Sequence, residues 1–131
     1  MTPAAARAAL DRMLSKAGQS ATLVRLWGTS RTPVSVALRV HIVVDYRPEQ
    51  IIDGSGLQIG FSKAIISTTE INAASWPGVA LAGDSAPPGD PRVPRKGDEL
   101  RLASGARRVV VAAWEAPRIQ GDLIRIEMTV K

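Results

Sequence analysis

The stretch Val34–Tyr46, VSVALRVHIVVDY, decides the fold. Val34, Val36, Leu38, Val40, Ile42, Val44 and Tyr46 take every second position, with Ser35, Ala37, Arg39, His41, Val43 and Asp45 between them. Neighbouring side chains of a strand point to opposite sides, so a period of two writes a strand with one apolar face. A strand of this length bends or bulges within a barrel or a strongly coiled sheet. The expectation it sets is a mainly β chain: a small antiparallel β-barrel or sandwich-like domain.

Upstream, ATLVRLW (21–27) reads as a first strand and GTSRTP (28–33) as a turn. Before it, Thr2 as N-cap, Pro3 at the first helical position and Gly18 as the stop bound an N-terminal helix over 3–17. Ala6, Leu10, Met13, Leu14 and Ala17 form its apolar stripe. Arg7, Asp11, Arg12 and Lys16 interrupt the apolar run that a signal peptide would need, and no stretch has the length of a membrane span.

Downstream, RPEQIIDGSG (47–56) reads as a loop turning at Asp53–Gly54, and LQIGFSKAIIS (57–67) as one or two short strands broken near Gly60. Residues 68–97, rich in proline and glycine, read as one long irregular loop, the kind of segment that is functional or disordered. Trp76 within it fits a docking residue or one folded back on the sheet. DELRL (98–102) and ARRVVVAAWEA (106–116) read as a hairpin turning at Gly105, and LIRIEMTV (123–130) as a closing strand with Ile124, Ile126, Met128 and Val130 on one face. In the hairpin, Val109, Val111 and Ala113 are expected to face the core, with Arg108, Val110, Ala112 and Trp114 opposite. A chain of 131 residues fits one such domain, 1–131, with the helix at 1–18 and the loop at 68–97.

The formal net charge is +5 and the cations are mostly arginine, which favours bidentate contact with carboxylates and phosphates. The surplus is local: between 92 and 118, Arg92, Arg95, Lys96, Arg101, Arg107, Arg108 and Arg118 face only Asp98, Glu99 and Glu115. Such a surface suits nucleic acid or acidic neighbouring subunits. Single-strand binders interleave aromatic platforms with the charges, and here only Trp114 offers one.

The chain has no cysteine and a single histidine, so disulfides, thiolate chemistry and the usual zinc sites are not expected. His41 shares a strand face with Arg39 and Asp45, without a serine or cysteine in a nucleophile motif, and reads as a polar-face residue. The glycines of DGSGLQIG lack the Lys-Ser or Lys-Thr and the helix of a phosphate loop. No catalytic residue, cofactor or metal site is expected.

The order of motifs resembles the head-tail connector family of long-tailed bacteriophages, the head-tail joining, head-completion or stopper proteins. The resemblance runs from about Ala21 to the C-terminus: TLVRLWG; the long strand leading into VDYRPEQIIDGSGLQIGFSKAIIS; a Trp-containing loop; PRKGDELRLASGARRVVVAAWEA; and LIRIEMTV. Tyr46, Pro48, Ile51 and Ile52 match its first motif, Leu57, Gln58, Ile59, Gly60, Ile65, Ile66 and Ser67 the second, and Gly97, Asp98 and Leu100 the third. Phe61 stands where the family has Asp, and the loop before Gly97 is enlarged.

The resemblance implies a non-enzymatic subunit made in the host cytoplasm that works in the virion neck. It would form a homo-oligomeric ring, commonly a hexamer, joining the DNA-filled head to the tail. Its partners would be the portal or adaptor, the tail terminator or tail proteins, and channel DNA held without sequence specificity; no membrane is involved. Ring closure needs two complementary patches on each copy, supplied by loops and strand edges. The candidate interface residues are Trp76, Arg92, Arg95, Lys96, Val110 and Trp114. A tail terminator, a portal adaptor and a monomeric nucleic-acid-binding barrel are the alternatives.

Overall fold

The computed structural model describes residues 2–27, 32–44, 61–78 and 89–131. In chain order they form α1 (Pro3–Ala17), β1 (Gln19–Trp27), β2 (Thr32–Val44), β3 (Ser62–Ser67), α2 (Thr69–Ala74), β4 (Glu99–Leu102), β5 (Arg107–Glu115) and β6 (Arg125–Val130). Of the expected turn at 28–33, Thr32 and Pro33 instead belong to β2, while residues 28–31, the expected loop at 47–56, the strand end at Asp45–Tyr46 and residues 57–60 lie outside the described residues.

The six strands close into an antiparallel barrel in the order β1-β2-β3-β6-β5-β4, with β4 returning to β1. The alternation in the sequence sets which side chains enter it. Val36, Leu38 and Val40 of β2 and Ile126, Met128 and Val130 of β6 are buried together with Leu23, Ile66 and Leu100. Each such side chain contributes roughly 1.5–3 kcal/mol by leaving water, so a core almost without aromatics is sufficient.

The helix is bounded as its caps predict. Thr2 Oγ1 accepts from the Ala5 N–H at 3.1 Å, Pro3 opens the first turn, and Leu14 and Ala6 face inward. At the other end Gly18 passes so close to the barrel that a Cβ there would lie 2.5 Å from the Leu14 carbonyl oxygen and 2.9 Å from that of Val40. The polar face of β2 completes this terminus. Arg39 Nε donates to Leu14 O at 3.0 Å and Arg39 Nη2 to Gly18 O at 2.8 Å, while His41 Nδ1 lies 3.2 Å from Ala17 O. Free carbonyls at a helix C-terminus carry partial negative charge, so an arginine on the facing strand is well placed there.

The segment 68–97 is not irregular throughout, which corrects the sequence reading. It opens with α2, whose Ile71 is buried, and α1 and α2 are joined by a hydrogen bond from Thr69 Oγ1 to Asp11 Oδ2 at 2.6 Å. Thr68 Oγ1 donates to Leu123 O at 2.8 Å and accepts from Arg7 Nε at 3.2 Å, tying both helices to the approach to β6. Residues 79–88 lie outside the described residues.

The expected parity of β5 is also corrected. Val110 is fully buried rather than outward, while Ala113 packs against the core and Trp114 faces out. The register against β6 shifts between Val110 and Ala112, so Val111 is an extra residue. A bulge of one residue reverses the alternation downstream of it, which allows both Val110 and Ala113 to face inward.

Candidate interaction surface

The end of the barrel near β4 is organised by a buried ion pair. The inward row of β1 runs Ala21, Leu23, Arg25, and the β1–β4 register that pairs Val24 with Glu99 brings Arg25 opposite Asp98 at the next step. Arg25 Nε donates to Asp98 Oδ2 at 3.1 Å and Arg25 Nη2 to the same oxygen at 3.0 Å. Arg25 Nη1 donates to Pro91 O at 2.9 Å and Nη2 also to Val93 O at 3.1 Å. Asp98 Oδ2 also accepts from the Arg95 N–H at 2.8 Å.

Over this pair lies Trp76, its ring centroid 4.6 Å from the Arg25 guanidinium carbon and its Nε1 donating to Val34 O at 3.0 Å. A desolvated cation over an indole face is attracted by the ring quadrupole. Trp76 is only 3% exposed, so it is a core residue and not a surface anchor, which corrects its place among the interface candidates. Val110, fully buried, is corrected in the same way.

Outside this cluster lies a second set of arginines and carboxylates. Arg92 Nη2 donates to Asp90 Oδ2 at 2.7 Å and Arg92 Nη1 to Asn72 Oδ1 at 2.8 Å. Arg118 Nη2 donates to both Asp90 Oδ2, at 3.0 Å, and Glu115 Oε2, at 2.9 Å. Hydrogen bonds from Arg92 hold the Asp90 carboxyl well below its ordinary range, against the opposing effect of partial burial. Arg118 likewise lowers Glu115. Arg95 is pulled down, first by partial burial and then by the charge of Arg25. Lys96 is exposed.

Trp114 is the exposed aromatic of this surface, 42% accessible, with Nε1 donating to Glu127 Oε2 at 2.9 Å. Between the segment 89–95 and the end of β5 lies an open cleft of about 570 Å³, with Pro94, Arg95, Trp114, Glu115 and Arg118 in its walls. The structure thus brings together Trp114 and Arg95, with Arg92 and Lys96 next to them in the chain, and separates off Trp76 and Val110. Arg118 and Asp90 complete the surface and are not singled out by sequence, because their importance comes from a contact between residues 28 apart.

Among the described residues no group of three or more His, Cys, Asp or Glu side chains could hold a metal ion. No described helix is long and apolar enough to cross a membrane. No protein-family model matches the chain, and no curated protein is significantly similar to it.

Proposed function

We propose that the chain is a structural subunit of a phage neck, a ring-forming stopper or head-completion protein that joins the DNA-filled head to the tail and helps retain DNA. One observation carries the reading. Arg25 comes from TLVRLWG, Trp76 from the Trp-containing loop and Asp98 from PRKGDEL, three separate stretches of the resemblance, and all three meet in one buried cluster. This supports treating those short motifs as parts of one architecture. The closed barrel with a leading helix suits a rigid ring component.

The basic surplus of the hairpin is partly consumed within the chain. Arg92 and Arg118 are paired with Asp90, and Arg101 with Glu99. The surface that remains mixes cations, anions and Trp114, which favours a protein neighbour over a phosphate backbone. The test is a reconstruction of purified particles, together with particles assembled without this chain. The reading expects the chain as a ring between portal and tail, and DNA-leaking, tailless heads in its absence. Filled, tailed particles without it, or its location elsewhere, would refute the reading.

A further inference from the structure

We propose that the edge of β5 at Ala113–Glu115 is a strand-addition site for an extended, acid-bearing peptide segment of a partner protein. The inference stands on the barrel alone and does not depend on the neck reading. Strand β4 spans four residues whereas its neighbours β1 and β5 span nine each. Its pairing with β5 covers Glu99–Arg101 against Val109–Arg107, extended by Gly97 N–H to Val110 O and Val110 N–H to Asp98 O. Beyond Val110, β5 continues for five residues whose strand partner among the described residues is β6 alone.

The direction of the backbone groups there follows from the ladder. Ala116 N–H donates to Arg125 O at 3.0 Å, and in an antiparallel pair residues alternate between facing the partner strand and facing away. With Ala112 opposite Thr129 and Trp114 opposite Glu127, Ala112, Trp114 and Ala116 turn towards β6. Ala113 and Glu115 therefore turn their N–H and C=O groups the other way, into the cleft. Among the described residues neither has a backbone partner on that side.

An edge of this kind recognises one chemical class, an extended polypeptide, through main-chain hydrogen bonds at alternate residues. The opposite wall is the segment 89–95, where Pro94 offers no N–H, so it does not complete the ladder itself. Trp114 provides a flanking aromatic surface. Around the site stand the cations Arg92, Arg95, Lys96 and Arg118 and the anions Asp90, Glu115 and Asp122, a surplus of one positive charge. Charge complementarity selects a segment carrying Asp or Glu.

The test has two parts. Residue-resolved amide exchange on the free protein should find Ala113 and Glu115 fast beside slow Ala112 and Trp114; equal protection at all four would overturn the proposal. Protection of the two edge amides that rises with protein concentration would assign the edge to a second copy and also overturn it. A library of random short peptides should then yield binders rich in Asp or Glu that protect those two amides. The variant Ala113→Pro removes an N–H that β6 does not use and should weaken these peptides by about tenfold or more. Trp114→Ala, an exposed change outside the core, should weaken them several-fold with the fold intact. An unenriched library, or binding unchanged in both variants, would sink the idea.

Discussion

The molecule uses arginine against carboxylate twice within one neighbourhood, and the two uses differ in kind. Arg25–Asp98 has side chains 3% and 7% exposed, all three guanidinium nitrogens donating and a tryptophan across its face. Arg92–Asp90–Arg118 has side chains 30%, 14% and 33% exposed and borders an open cleft. Burial raises the cost of leaving either partner alone, so the first pair is a condition of the fold. Water and salt screen the second, which costs little to rearrange and is free to exchange its partners for a ligand's.

Breaking the first pair is the largest effect expected. Arg25→Ala leaves Asp98 buried without its cation and should destabilise the chain by about 3–5 kcal/mol in urea unfolding. Trp76→Phe keeps an aromatic face over Arg25 but leaves Val34 O without its donor. A loss of about 2 kcal/mol, read from the same curves, would place Trp76 with the buried cluster rather than the surface.

Acid titration separates the carboxylates by sign. Asp90 is held below its unfolded value, so the stability it contributes is present above pH ~4 and is lost as pH falls further. Asp90→Asn should flatten that acid limb in unfolding curves between about pH 2 and 7. Glu70, raised by burial first and then by Asp11, has the opposite sign: its contribution is present at acid pH and lost as pH rises through its elevated value. Glu70→Gln should therefore raise the melting temperature at neutral pH and leave it little changed in acid. The smallest effect is expected from Arg92→Ala, a loss of at most about 1 kcal/mol after allowance for solvent screening.

The same contrast separates what could be read from the sequence from what could not. The period of two in β2 and β6 and the Thr-Pro and Gly caps of α1 are local, and local patterns print themselves in the chain. Arg25 and Asp98 are 73 residues apart, and in TLVRLWG the arginine looks like any other polar-face charge. Its alternation with Ala21 and Leu23 turns it inward, and only the β1–β4 register brings Asp98 to it. Val109, Val110 and Val111 are identical, so no parity could be read through the bulge. The edge at Ala113 and Glu115, which no described strand covers, depends on the shortness of a different strand, which leaves no trace in VAAWEA.

The double-mutant cycle is the most direct measurement of the contrast between the two ion pairs. Arg25→Met and Asp98→Ala, singly and together, should give a coupling of several kcal/mol, the double variant recovering much of the loss of either single one. The same cycle on Arg92→Ala and Asp90→Ala should give a coupling within about 1 kcal/mol. Couplings of equal size at the two sites would contradict the account.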